Sequence, residues 1–476
     1  MGQTAAIFDL DRTLLAGSSG PVFSEALREA GLVSNRSVPG ERLLFRLFDV
    51  VGETLPSMAL ARQGASLAKG RSRDAVRAAA AKAAPTLARR IQPYAHVLFD
   101  EHRAAGRALV LATTTPFDLV EPLAHSLGFD AVVATRYRVA PDGTYDGSLD
   151  GPFVWSAGKL SAVRTWAAAH DVDLRESWFY SDSVYDAPLL MAVGHPVVVN
   201  PDPRMVVLAA VQRWPTVHLD VPPGVPKVPV LGVEPQQVAL AFVRPELFPY
   251  ARWDIKGADR IPKEGPALLV ANHRSYFDVT AMAMLVARSG RSVRFLGKKE
   301  VFDAPVIGQI AKAMGGIRVD RGTGSDEPLK AAAEALAGGQ LVAIMPEGTI
   351  PRGPAFFEPE LKGRWGAARL AALSKAPVIP VGLWGTERVW PRSGRLPNVM
   401  NVANPPHVRV RVGEPVPLAY RSADKDTKRI MEAISALLPA ESRVSRERTA
   451  AELARTYPPG YKGDPKRENA RRPGTD

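Results

Sequence analysis

His273 and Asp278 stand five positions apart in Asn272-His273-Arg274-Ser275-Tyr276-Phe277-Asp278. On a regular helix that spacing sets them about 140° apart, so they meet only if the backbone turns after His273. Two readings suit the pair. Either Asp278 closes a capping box with Ser275 at the head of a helix through Met282 and Leu285, or it orients His273 as a general base toward a hydroxyl. Asp9 and Asp11, in Ile7-Phe8-Asp9-Leu10-Asp11-Arg12-Thr13, form a second set. Carboxylates that follow a buried run need a partner or a cation. They suit phosphoryl transfer assisted by Mg²⁺: one carboxylate attacks phosphorus, the other protonates the leaving oxygen.

Each group sits behind a short apolar run that reads as a buried strand. Ala267-Leu268-Leu269-Val270-Ala271 delivers His273, and Ala5-Ala6-Ile7-Phe8 delivers Asp9. Ala108-Leu109-Val110-Leu111-Ala112 ends in Thr113-Thr114-Thr115, hydroxyls suited to a phosphate. Lys159 opens a helical stretch, and Trp178-Phe179-Tyr180 runs into Ser181-Asp182-Ser183-Val184-Tyr185-Asp186.

In that order these motifs resemble the haloacid dehalogenase superfamily, most closely its phosphoserine-phosphatase-like branch, over about residues 4 to 215. The resemblance implies a Rossmann-like domain with Asp9 as nucleophile and Asp11 as general acid/base. It gives Thr113 and Lys159 to the phosphate, and Asp9, Asp11, Asp182 and Asp186 to Mg²⁺. Ser181 stands where many relatives carry Gly. The helical insert at about 18–92 would be a cap that selects substrate.

A second set of blocks follows His273 and Asp278: Gly316-Ile317-Arg318-Val319-Asp320-Arg321, Pro346-Glu347-Gly348-Thr349 and Val378-Ile379-Pro380-Val381. Together they resemble the 1-acylglycerol-3-phosphate acyltransferase family of glycerolipid acyltransferases, over about 240 to 420. The resemblance implies acyl transfer from acyl-CoA or acyl carrier protein to lysophosphatidic acid, giving phosphatidic acid, with no metal. Arg321 would hold the acceptor phosphate, and Glu347, Gly348 and Thr349 would bound the acceptor pocket. Ile350 stands where relatives commonly carry Arg, with Arg352 two residues on, which leaves the acceptor open. Another membrane hydroxyl as acceptor, or a lipid-surface module with a regulatory phosphatase-like domain, are the competing readings.

The expected fold is therefore α/β in two domains: 1–218 phosphatase-like, 219–236 a Pro-rich linker, 237–438 acyltransferase, and 439–476 a basic, disordered tail. Strands are expected at 267–271, 293–296, 317–319, 341–345, 378–383 and 408–412 in a largely parallel sheet. Helices are expected at 275–288, 305–314, 325–337, 362–374 and 424–437. Residues 238–252 read as a core helix or as an interfacial element.

A hydrophobic content of 46% with 23% charged residues describes a globular chain, not a disordered one. No cysteine is present, which excludes disulfides and thiolate catalysis. The net charge of +12 suits an anionic partner, with simple solubility as the alternative reading. With no nucleic-acid motif, that partner is expected to be an anionic membrane surface. No apolar run is long enough to span a bilayer, and the first strand leaves no room for a signal peptide. The expected location is cytoplasmic, peripheral on the inner face of the cell membrane.

Overall fold

The strand at Ala5–Phe8 (β1) is buried along its whole length, and its neighbours explain why. In a computed structural model, which describes residues 2–33, 54–222, 225–228, 232–319, 327–445 and 447–462, the chain divides into two compact units. They are Met1–Pro223 with Pro229–Gly232, and Gly224–Val228 with Val233–Asp476.

In the first unit, β1 pairs in parallel with Ala108–Pro116 (β2) and with Trp178–Ser181 (β6). Ala131–Thr135 (β3), His195–Val199 (β7) and Thr216–Val217 (β8) complete a parallel sheet in the order β3-β2-β1-β6-β7-β8. Alternate residues feed opposite faces, as a two-residue repeat requires. Ala6 and Phe8 join one core with Leu109 and Leu111, while Ala5 and Ile7 join the other with Val110 and Ala112. A sheet covered on both faces needs strands apolar throughout. Asp9 then emerges at the carboxyl end of a central strand, where open α/β sheets bind ligands.

The described part of the expected cap contains helices Gly20–Glu29, Leu55–Arg62, Gly64–Ala68 and Arg73–Ala88. Ala80, Ala83, Ala84 and Leu87 of the last join the same core as Phe8. Its Arg73 and Arg77 pair with buried Asp118 at 3.0 and 3.3 Å. The alanine-rich segment is thus packed against the sheet domain along one face. A hairpin of Tyr137–Val139 (β4) and Tyr145–Leu149 (β5) was not anticipated. Its signal was present in Pro141-Asp142-Gly143-Thr144, where Asp142 accepts from the Thr144 N–H at 2.9 Å and Gly143 has φ +81°.

The second unit has a seven-stranded sheet. Ile317–Val319 (β12), Val293–Lys298 (β11), Leu341–Ile344 (β13), Ala267–Ala271 (β10) and Val378–Trp384 (β14) lie side by side in parallel. His407–Val412 (β15) and Arg252–Lys256 (β9) follow. β15 runs antiparallel to β14, so the sheet is mixed. β9 was missed because an edge strand reading Arg-Trp-Asp-Ile-Lys shows little apolar run. Observed helices at Asp278–Ser289, Ile307–Ala313, Glu327–Ala337, Gly366–Ser374 and Ala423–Ala436 answer to the expected ones.

Both ends of the supposed linker belong to the units. Leu219 and Val221 are 3% exposed, and the Leu219 carbonyl accepts from the Tyr94 N–H at 3.0 Å. At the other end, Glu234 pairs with Arg294, a side chain only 1% exposed, and Gln236 closes a two-way amide bond on Val293. Proline density marked the extended chain but not these anchors. Arg294→Met would leave Glu234 buried without its cation, a loss of about 3–5 kcal/mol in stability. A melting curve should show it, and Arg294→Met with Glu234→Gln should recover much of the loss. An unshifted single variant would mean the pair is not coupled to folding.

The tail also needs correction. Ala440–Arg443 and Ala450–Ala454 are helical, and Thr456, 3% exposed, accepts from the Gly353 N–H at 2.7 Å. One buried threonine in a polar, basic sequence gives no periodic signal. Residues 463–476 lie outside the described set.

Candidate functional site

In the first unit, the turn after β1 places two acids differently. Asp9, 6% exposed, accepts from Lys159 Nζ at 2.9 Å, and the same Nζ reaches Asp186 at 2.7 Å. Lys159 is 1% exposed, so this is a buried cation between two carboxylates. Asp11 instead accepts from the Ser19 N–H at 2.5 Å and the Thr115 hydroxyl at 3.3 Å. Burial pushes the Asp11 carboxyl up, against the bonds from Ser19 and Thr115 and the charge of Lys159. A shift in that direction suits a group whose task is to donate a proton.

Asp182 follows β6. It accepts from Thr13 Oγ1 at 2.9 Å and from Arg12 Nε at 3.1 Å, while its own N–H returns a bond to Thr13 at 3.0 Å. Ser181 explains its departure from glycine: its hydroxyl donates to Asp186 at 2.7 Å. Of the three threonines, Thr113 accepts from the Thr115 N–H at 3.2 Å and Thr114 donates to the Val154 carbonyl at 2.9 Å. Thr115, which reaches Asp11, was not singled out, nor was Thr13. Both lay beside named residues, but spacing could not tell which hydroxyl turns inward.

In the second unit, β10 ends at Asn272. Its side chain donates to the Leu383 carbonyl (2.9 Å) and accepts from the Leu383 N–H (2.7 Å), tying β10 to β14. The chain then turns. Asp278, fully buried, gathers three donors on Oδ2: the Arg274 N–H at 2.6 Å, the Ser275 N–H at 2.8 Å, and His273 Nδ1 at 2.8 Å. One carboxylate oxygen thus holds the backbone of the turn and the His273 ring together, but it closes no capping box. Ser275 is not the helix cap, since its hydroxyl donates to the Trp390 carbonyl at 2.6 Å and accepts from the Phe277 N–H at 3.0 Å. The helix begins at Asp278, with Phe277 before it and no side-chain cap.

Glu347, 2% exposed, accepts from the His273 N–H, and Gly348 has φ +69° in the turn after β13. His273, Arg274 and Glu347 line one cleft with Phe356, Leu361 and Lys362. Thr349 follows Gly348 on that turn. The Arg274 guanidinium, missed by sequence reasoning, lies 4.3 Å from the Phe356 ring centre and 4.2 Å from that of Trp384, with Glu387 at 3.2 Å. Ile350 is buried at 3% exposure, and Arg352 lies over the Tyr461 ring at 5.2 Å. Arg321 lies outside the described residues.

A haloacid dehalogenase-like hydrolase model matches residues 6–191, and an acyltransferase model matches 252–384. The "Inhibition of morphological differentiation protein" of Streptomyces azureus is 34% identical over 245 residues, 50% of this chain and 87% of that protein. The chain belongs to the haloacid dehalogenase-like hydrolases. Phosphoserine phosphatase SerB1 of Mycobacterium tuberculosis is 32% identical over 213 residues, 44% of this chain and 69% of that one. Among solved structures, the 1-acyl-sn-glycerophosphate (LPA) acyltransferase PlsC of Thermotoga maritima is 22% identical, with a TM-score of 0.32. It covers 42% of this chain and 78% of that chain. A phosphoserine-phosphatase-like domain is here followed by a segment that matches the acyltransferase model.

Phosphatases of the haloacid dehalogenase family typically use Mg²⁺. The carboxylates of Asp9, Asp182 and Asp186 supply the hard oxygen donors that Mg²⁺ takes. Asp186 Oδ1 is buried without a hydrogen-bond partner, an atom that a cation would satisfy. Asp11 is the fourth expected ligand, and its two oxygens accept from Ser19 and Thr115. No three acids or histidines among the described residues already close round one point, because Lys159 spans Asp9 and Asp186 while Arg12 takes an oxygen of Asp182.

Proposed function

We propose that the acyltransferase domain moves an acyl chain from acyl-CoA or acyl carrier protein to 1-acylglycerol 3-phosphate, giving phosphatidic acid. The observation that carries this is the 2.8 Å bond from His273 Nδ1 to Asp278, which leaves Nε2 as the ring nitrogen for a substrate hydroxyl. His273 takes the hydroxyl proton as the oxygen attacks the thioester carbonyl. The tetrahedral adduct collapses, the C–S bond breaks, and the imidazolium returns the proton to the thiolate. Asp278 stabilises the imidazolium between these steps. Thioester consumption with lysophosphatidic acid tests the reading; an enzyme idle with every lysolipid offered would end it. Buried Ile350 favours a second reading, a different membrane hydroxyl as acceptor, and a panel of acceptors separates the two.

In the phosphatase domain, Asp9 attacks the phosphorus of a phosphomonoester, and Asp11 gives its proton to the departing oxygen. Water, deprotonated by Asp11, then releases phosphate from Asp9. Lys159 and Thr113 hold the phosphate group. Bound Mg²⁺, held by Asp9, Asp11, Asp182 and Asp186, would offset negative charge on the phosphoryl oxygens. Chelation by EDTA should stop phosphate release from a substrate panel and spare thioester consumption, with excess Mg²⁺ restoring the loss. Phosphate release that survives chelation would refute this assignment.

Arg321 is proposed to bind the acceptor phosphate through a charge-assisted pair. Arg321→Ala should raise the KM for lysophosphatidic acid by about 10- to 100-fold and leave that for the acyl donor nearly unchanged. Equal losses for both substrates would argue for a structural role instead. Among the described residues, no helix is long and apolar enough to cross a membrane. Peripheral attachment at the cytoplasmic face of the cell membrane is part of the same proposal.

A further inference from the structure

The loop between the short helix Thr386–Val389 and β15 exposes an unusual set of side chains. Leu396 is 77% exposed, Val399 46%, Met400 86% and Val402 52%. Single exposed apolar residues need no explanation. Four of them between Leu396 and Val402 concentrate exposed apolar surface on one short stretch, as interaction sites do. The segment is held in shape. The Asn398 N–H donates to the Val389 carbonyl at 2.9 Å, and Trp390 Nε1 donates to the Gly394 carbonyl at 2.9 Å. Arg392 donates to the Ile350 carbonyl, and the Ser393 N–H donates to that of Arg455 at 3.2 Å.

Charge supplies the second observation. From Arg388 to Gly413 the sequence contains no Asp or Glu, and it carries Arg388, Arg392, Arg395, Arg409 and Arg411. Arg388, Arg395 and Arg409 are exposed. Apolar tips flanked by arginine, with no acid between, match the chemistry of an anionic bilayer: hydrocarbon beneath, phosphate above.

Position supplies the third. The base of this loop is bonded to the turn that carries His273. Ser275 donates to the Trp390 carbonyl at 2.6 Å, and the rings of Tyr276 and Trp390 lie 5.5 Å apart. Tyr276 and Val279, on and just after that turn, are 42% and 53% exposed. An inserted loop would therefore hold the histidine turn against the layer in which a lysolipid acceptor resides. Segment 238–252 divides between inward and outward roles: Leu240 packs on the core, while Phe242 and Leu247 are 68% and 61% exposed.

We propose that residues 394–403 form a membrane-inserting loop, with Leu396, Val399, Met400 and Val402 entering an anionic bilayer and Arg388 and Arg395 on its headgroups. The choice of a bilayer over an acidic protein rests on the acyl-transfer reading above; the measurement does not.

The natural sequence lacks cysteine, so Met400→Cys gives a single attachment point for an environment-sensitive nitrobenzoxadiazole label on the full chain. With phosphatidylcholine–phosphatidylglycerol vesicles, its emission should shift to the blue and be quenched by spin-labelled acyl chains. A label at Ala168→Cys, on the other unit, should not respond. Leu396→Ser with Met400→Ser should weaken vesicle sedimentation at least about tenfold, since two inserted apolar side chains are lost, with an unchanged melting curve. A silent label at position 400 while the protein pellets with vesicles would overturn the proposal. So would undiminished sedimentation of the double variant, or a label that answers an acidic carrier protein and not vesicles. Failure of the acyl-transfer reading looks different: the label responds, yet no lysolipid drives thioester consumption.

Discussion

Asp9→Asn should lower phosphatase turnover by about 10⁴-fold or more, as loss of a covalent nucleophile does elsewhere, while thioester consumption stays at the wild-type rate. The amide keeps the shape of the carboxylate but cannot attack phosphorus. Folding should survive, because Lys159 loses one partner and keeps Asp186 at 2.7 Å. Asp11→Asn is the informative companion. Its carboxyl is pushed up by burial and held by Ser19 and Thr115, and its replacement removes the proposed proton donor while leaving the proposed nucleophile in place. That variant should still accept phosphate from a substrate with a good leaving group, such as an aryl phosphate, and should stall with an alkyl phosphate. Equal activity of Asp9→Asn and the parent on every responsive substrate would overturn the assignment of this site.

The placement of many candidate site residues was legible because they sit directly behind buried strands. Asp9, Asp182 and His273 each follow an apolar run, and a run of that kind places the next residue at a strand end with little ambiguity. Lys159 could be found only through the resemblance, since one lysine at a helix start is ordinary on its own. What stayed hidden was which way small polar side chains turn. Thr115, not Thr113, donates to Asp11. Asn272 spends its amide on the neighbouring strand. Arg274 is enclosed by Phe356, Trp384 and Glu387, all far away in sequence. No local pattern encodes such contacts, because they arise only when β14 and the segment after β13 close over the turn. The same holds for the buried Glu234–Arg294 pair, which is formed between residues 60 apart.

The turn at His273 supports one more expectation, which the geometry makes sharper than the sequence does. Two backbone N–H groups and the histidine ring all converge on Asp278 Oδ2, whereas Oδ1 is buried without a partner. In Asp278→Asn the carbonyl oxygen must face those donors, since an amide nitrogen cannot accept from a backbone N–H. The ring then keeps its Nδ1–H donor tautomer and its orientation, and only the negative charge beside the imidazolium is lost. A unit charge about 4 Å away is worth about 4 kcal/mol at an effective dielectric of about 20. That corresponds to a loss of roughly 10²–10³-fold in turnover, with a modest drop in melting temperature from the weakened turn. His273→Ala removes the base itself and should cost at least as much as any Asp278 variant. The pair acts as a unit, so the double variant should be little worse than His273→Ala. Asp278→Ala should show the larger stability loss, because the Arg274 and Ser275 N–H groups would be left buried and unpaired. The measurements are thioester consumption with lysophosphatidic acid and a melting curve for each variant. Near-normal turnover in Asp278→Asn beside a lowered melting temperature would assign Asp278 to the turn alone and leave His273 to act without a charged partner.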